Sequence, residues 1–108
     1  MTHSMKLRKE PFEQILSGIK GYEFRLNDEK RSLVSEGDII IFTCEERNAA
    51  VKVRGIIKAP SWKELEKRLN GDKTAINTTL DSVMSEYYSR SDEEKYGCIA
   101  IEIELINS

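Results

Sequence analysis

Histidine and cysteine are nearly missing from this chain. Among 108 residues there are one histidine, His3, and two well-separated cysteines, Cys44 and Cys98. One histidine near an end and two distant thiols cannot supply a zinc framework, so no metal is expected. A disulfide scaffold is not expected either, and the two cysteines read as reduced core-strand residues. The same scarcity excludes the serine–histidine and cysteine–histidine arrangements of nucleophilic hydrolases. A phosphate-binding glycine loop is absent too, because Gly18 and Gly21 are spaced for turn geometry. No apolar run approaches the roughly 18 to 20 residues that span a bilayer. Met1-Thr2-His3-Ser4-Met5 lacks the apolar stretch of a secretory signal. A cytoplasmic setting without a membrane partner is therefore expected.

There are also no internal repeats, low-complexity tracts or linkers. The length suits one modest core, so a single domain over residues 1–108 is expected, with residues 1–4 as a flexible extension. Charged residues make up 33% and the hydrophobic set 39%, an ordinary globular mixture. The net charge of −2 argues against avid, sequence-blind binding to nucleic acid through phosphate neutralisation. A local basic patch is compatible with it: Lys6, Arg8, Lys9, Lys20, Arg25, Lys30 and Arg31 all fall in the first third. If RNA is the partner, a small concave site is expected rather than a long electrostatic footprint.

What the chain does have is alternation. Met5 and Leu7 mark a short first strand, and Glu10-Pro11 opens a helix carrying Phe12, Ile15 and Leu16, with Gly18 as its left-handed terminator. Tyr22, Phe24 and Leu26 alternate with Glu23, Arg25 and Asn27, the pattern of a strand with two unlike faces. Glu36-Gly37-Asp38 turns into the β-prone run from Ile39 to Thr43, and Glu45-Glu46-Arg47-Asn48 reads as a hairpin loop. The return strand runs from Ala50 to Ile57, with Val51 and Val53 inward and Lys52 and Arg54 outward, and Pro60 ends it. Ser61 and Glu64 form a capping-box pair before a helix with Trp62, Leu65 and Leu69, closed by Asn70-Gly71. Leu80, Val83, Met84, Tyr87 and Tyr88 form the stripe of another amphipathic helix, which makes both tyrosines packing groups. Ser91 and Glu94 repeat the capping-box spacing ahead of one turn stopping at Gly97. In the final strand, from Cys98 to Ile106, Ile99, Ile101, Ile103 and Leu105 face one way and Glu102 and Glu104 the other. Helices inserted between strands, without a βαβ repeat, predict an α+β fold with a mostly antiparallel, curled sheet.

The stretch richest in chemistry is 17–31. Glu23 and Arg25 share one strand face, with Lys20 at its entrance. On a solvated surface the pair would be an ordinary ion pair worth under ~1 kcal/mol. Facing a cleft, they would instead be partly desolvated. Arg25 would then offer a bidentate fork to phosphate or a base edge, and Glu23 would accept from a donor-bearing edge. Asn27 and Asp28 shape the following turn, with Asp28 placed to anchor Arg25 or Arg31. Tyr96, before Gly97 at a helix-to-strand junction, is placed to edge the cleft. Trp62 reads as a core anchor in preference to a stacking platform.

Gly18, Lys20, Glu23 and Arg25 fill a Gly-x-Lys-x-x-Glu-x-Arg pattern after the first helix, which resembles the signature of the ASCH domains. These are a branch of the PUA-like superfamily of small RNA-linked barrels. Lys6-Leu7, Gly37-Asp38-Ile39-Ile40 and the closing Tyr96-Gly97-Cys98-Ile99-Ala100-Ile101-Glu102 extend the resemblance over nearly the whole chain. It implies a small curled β-barrel with helices at its openings. It also implies a module binding RNA, a nucleotide or a nucleoside, without a cofactor, in a cleft lined by Lys20, Glu23 and Arg25, and the residue reading adds Asn27, Asp28, Arg31 and Tyr96 as candidate ligand contacts. One branch resembles an amidohydrolase of acetylated cytidine, which uses a lysine, a threonine three residues on and a distant glutamate. Here Lys20 matches, but Glu23 stands at the threonine position, and a carboxylate does not replace a hydroxyl nucleophile. Hydrolysis by a Lys20–Glu23 pair through water is thus the alternative to a non-catalytic module. A regulatory protein-interaction domain is the third expectation.

Overall fold

The computed structural model describes residues 1–18, 21–69 and 79–106. Its five strands are β1 (Thr2–Lys6), β2 (Tyr22–Leu26), β3 (Ile39–Cys44), β4 (Arg47–Ala59) and β5 (Cys98–Leu105). They form one sheet in the order β1-β3-β4-β5-β2, curled into a half-barrel. The sheet is mixed, because β1 runs parallel to β3 while the other three pairings are antiparallel. The helices are α1 (Lys9–Leu16), α2 (Trp62–Arg68), α3 (Leu80–Met84) and α4 (Arg90–Tyr96), with a 3-10 turn at Arg31–Leu33.

Residues 2–4, expected as a flexible extension, lie in β1 and pair with Ile39, Ile40 and Ile41. The hairpin loop is shorter than expected: the β3–β4 turn is Glu45-Glu46, and Arg47 and Asn48 already belong to β4. Lys20 and Asn70-Gly71, both singled out in the sequence, lie outside the described residues.

Strand alternation sorts the core onto two faces. Ile99, Ile101 and Ile103 of β5 join Ile40, Phe42, Val51 and Val53 under Phe12 and Ile15 of α1. Cys98 and Ala100 join Leu26, Ala59, Trp62, Leu65, Leu80 and Met84 under α2 and α3. Trp62 is fully buried, as expected of an anchor. An aromatic side chain of its size contributes about 4–6 kcal/mol before conformational entropy is counted. In β4 a bulge at Arg54 sets Val53 opposite Ile103 and Gly55 opposite Glu102. One extra residue flips the alternation, so Val51 and Val53 face α1 whereas Ile57 and Ala59 face α2.

Helix ends follow local chemistry. Gly18 closes α1 at φ 80, and the Ser61 hydroxyl caps α2 by accepting from the Glu64 N–H. The cap of α4 is Ser89, which accepts from the Asp92 N–H, and not Ser91. α3 is shorter than its stripe suggested: it ends at Met84, whose carbonyl accepts from both Tyr87 and Tyr88. Tyr88 packs on Trp62 with ring centroids 5.7 Å apart. Tyr87, expected to pack, is 51% exposed.

Candidate functional site: a cleft at the seam of the sheet

β1 and β2 are the two edges of the sheet, and its curl brings them together. Arg25 Nη2 of β2 donates to the Lys6 carbonyl at the end of β1, 2.9 Å away. A side chain thus bridges the seam between the two edges. A cleft of about 680 Å³ opens beside it. One wall is Lys6-Leu7-Arg8 with Glu10, Pro11 and Gln14 of α1, and the other is Leu80, Val83 and Met84 with Tyr87 and Tyr88. The floor is Gly21 and Tyr22 to Arg25. Because β2 is an edge strand, the cleft reaches residues from both of its faces.

The alternation of β2 is as expected, but the order of burial is not. Glu23 is 4% exposed, whereas Tyr22 and Phe24, stacked at 6.0 Å, are only partly buried. Position in the sheet explains the inversion. Glu23 and Arg25 lie opposite Ile101 and Ile99, on the face that carries the α1 side of the core. Tyr22 and Phe24 lie on the other face, against the rim of the α2–α3 cluster.

Arg25 Nε donates to Glu23 Oε2 at 2.5 Å, an ion pair whose side chains are 14% and 5% exposed. That bond and the one to Lys6 use two of the five guanidinium N–H groups. The nearby Tyr88 hydroxyl is pushed above the ordinary phenol value, chiefly by burial; Arg25 opposes this and Glu23 adds to it. It therefore remains a neutral donor at physiological pH. At the rim, the Arg8 guanidinium sits 4.1 Å over the Tyr87 ring.

The other expected site residues do not line this cleft. The Asp28 carboxylate accepts from the Arg31 N–H at 3.0 Å and from Arg31 Nη1 at 3.3 Å, which makes it the turn anchor of Arg31 rather than of Arg25. The Asn27 N–H donates to the Gly97 carbonyl, joining the two segments that flank the β2–β5 pair. Tyr96 lies outside the lining and carries Lys95 over its ring at 5.1 Å.

The wall formed by α3 is held by carboxylates that sequence reading missed. Glu66 Oε1 accepts from the Leu80 N–H at 2.6 Å. Arg90 spans Asp81, at 2.5 and 2.8 Å, and Glu93, at 2.7 Å. Buried Glu93 in turn accepts from the Trp62 N–H at 2.9 Å. Glu93 falls at an inward helical position, but a lone acidic residue there does not announce its partner. Among the described residues no cluster of three histidine, cysteine or acidic side chains could hold a metal. No helix among them is long and apolar enough to cross a membrane.

A curled mixed sheet with helices on both faces and a cleft of mixed apolar and charged lining at its seam is consistent with a PUA-like fold. The chain belongs to the ASCH domain family, whose model matches residues 5–107. The crystal structure of the hypothetical protein PH0355 is 38% identical, with a TM-score of 0.84 over 98% of this chain and 100% of that one. The solution structure of protein PF0455 from Pyrococcus furiosus is 32% identical, with a TM-score of 0.74 over the whole of both chains (100% each). The ASCH domain from Lactobacillus crispatus shares the fold at 12% identity, with a TM-score of 0.63 over 96% of this chain and 79% of that one. No curated protein matches the chain.

Proposed function

We propose that this chain is a non-catalytic binding module that takes up a nucleotide, or a nucleotide within RNA, in the cleft at the seam. The observation that carries this reading is the buried Glu23–Arg25 pair on the cleft floor. Desolvating two charges is costly, and a buried ion pair is a weak device for stability. It is a good device for recognition, because its carboxylate accepts from the N–H edge of a base and its guanidinium donates to a carbonyl or phosphate. Tyr22, Phe24 and Tyr88 supply aromatic surface beside it, and stacking of one base on such a ring is worth roughly 1–3 kcal/mol. With a net charge of −2, affinity would come from this enclosed chemistry rather than from a basic surface.

Titrations with nucleosides, nucleotides and short RNAs at two salt concentrations test the reading. Arg25→Ala should weaken binding by roughly 1–3 kcal/mol. Lys9→Ala, on an exposed position outside the cleft, should change it little. Equal losses for both variants would point to diffuse electrostatics and contradict a specific site. The seam contact of Arg25 with Lys6 favours one other reading, an interaction domain in which these residues only close the sheet. In that case Arg25→Ala lowers stability and no base-bearing ligand binds. Adding acetylated cytidine to the same samples reads out hydrolysis. Cytidine release at about 1 per second or faster, abolished by Lys20→Ala or Glu23→Gln, would replace the binding-module reading with an enzymatic one.

A further inference from the structure

Six of the seven arginines are held by carboxylates: Arg25 by Glu23, Arg31 by Asp28, Arg47 by Glu13, Arg54 by Glu104, Arg68 by Glu64, and Arg90 by Asp81 and Glu93. Arg8 is different. Among the described residues no carboxylate forms an ion pair with it, and its guanidinium rests instead on the Tyr87 ring. Both side chains are exposed, and both line the cleft. Tyr87 holds the group by its ring face and through its hydroxyl, and Glu10 attracts it, while the planar fork keeps further N–H groups along its edge.

Backbone placement adds to this. Arg8 is the N-cap residue of α1 and offers no side-chain acceptor to the helix N-terminus. The positive end of the helix dipole and the guanidinium therefore coincide at the rim. Lys6, two residues earlier, is also exposed and lines the same wall, and its carbonyl is the one that holds Arg25. Glu10 is the single acidic group on this wall. The floor thus carries the Glu23–Arg25 ion pair, while the rim above it carries the charges of Lys6 and Arg8.

Resting on the reading of the cleft given above, we propose that Arg8, presented by Tyr87, is the phosphate-binding group of the site. The ligand is then a phosphorylated nucleotide, free or within a strand, and not a nucleoside. The floor selects the base and the rim takes the phosphate attached to its ribose.

The test compares the four ribonucleosides with their 5′-monophosphates by calorimetric titration of the full chain. For the base that binds, the monophosphate should bind about tenfold more tightly than the nucleoside, the increment of one charge-assisted contact. Arg8→Gln should abolish that increment and leave nucleoside affinity intact. Tyr87→Leu should reduce it by releasing the guanidinium. Arg47→Gln, which removes the same charge from a side chain paired with Glu13 outside the cleft, should preserve it. Equal affinity of nucleoside and monophosphate in the unmodified chain would overturn the proposal and leave base binding by the cleft standing. So would an increment that survives Arg8→Gln or is lost equally in Arg47→Gln. Failure of every nucleoside and nucleotide to bind would overturn both. An oligonucleotide bound more tightly than the monophosphate supports the assignment and names an RNA strand as the source of the phosphate. Equal binding supports it and names a free nucleotide.

Discussion

Glu23 and Arg25 owe their pairing to a spacing of two on a strand, which puts both side chains on one face. Their depth comes from elsewhere: β5 is their neighbour, and its isoleucines carry that face into the core. The alternation was therefore legible in the sequence and the burial was not, because burial depends on which strand lies alongside. Arg8 and Tyr87 escaped for the same reason. They are far apart in the chain, and only the fold's closing around the cleft brings the Arg8 guanidinium to 4.1 Å from the centre of the Tyr87 ring. Gly97 was legible as a stop, but its requirement is sharper than a helix end alone. It adopts φ 74 and ψ −171, a region that side chains avoid, and a Cβ there would lie 3.0 Å from the Ala59 carbonyl oxygen. Gly97→Ala should accordingly cost about 1–3 kcal/mol of stability. Gly55→Ala is the comparison, since its Cβ would meet only the Glu102 side chain, with the flexible end at 3.1 Å as the one tight contact, and its φ is ordinary. Denaturant unfolding of the two variants checks this, and equal losses would contradict it.

Among the elements, the strands were read more accurately than the short helices. β3 and β5 declare themselves through runs and alternation that one register satisfies. Near the last helix, Ser89 and Ser91 both stand three residues before an acid, Asp92 and Glu94, so the capping pattern alone is degenerate. Tertiary contact breaks the tie: with the helix running from Arg90 to Tyr96, Glu93 turns inward to accept from Trp62 and Arg90 reaches Asp81. Ser89→Ala should then lower stability by about 0.5–2 kcal/mol, while Ser91→Ala stays within about 0.5 kcal/mol. Thermal melts of the two variants distinguish them, and the reverse order would contradict the assigned cap. The stripe from Leu80 to Tyr88 misled in a similar way. Its apolar spacing is helical, but the helix stops at Met84, and the turn that follows points Tyr88 at Trp62 and leaves Tyr87 to Arg8.

At the scale of the whole molecule, the topology turns on β1. Its parallel pairing with β3 was not legible, since a five-residue strand carries no mark of its neighbour's direction. The pairing is fastened by Asp38, which bonds His3 Nε2 at 2.8 Å and accepts from the Ser35 N–H at 2.9 Å. The His3 hydrogen bond, followed by that of Ser35, lowers the Asp38 carboxyl from 3.8 to about 2. A folded value below the unfolded one stabilises the fold above about pH 4, and the contribution is lost as the pH falls toward 2. Thermal midpoints measured across that window should fall more steeply for the unmodified chain than for Asp38→Asn, and identical slopes would contradict this role. Joining the edges β1 and β2 is what creates the cleft, so ligand uptake at the seam is the claim on which the account rests. Its most direct measurement is a two-dimensional 1H–15N NMR titration with nucleotides and short RNAs. Saturable shifts are expected at residues 6–8, 21–25, 87 and 88, including the Arg25 Nε–H, with Lys52 and Glu104 unmoved. Shifts centred on the β4–β5 surface, or none with any of these ligands, would contradict it.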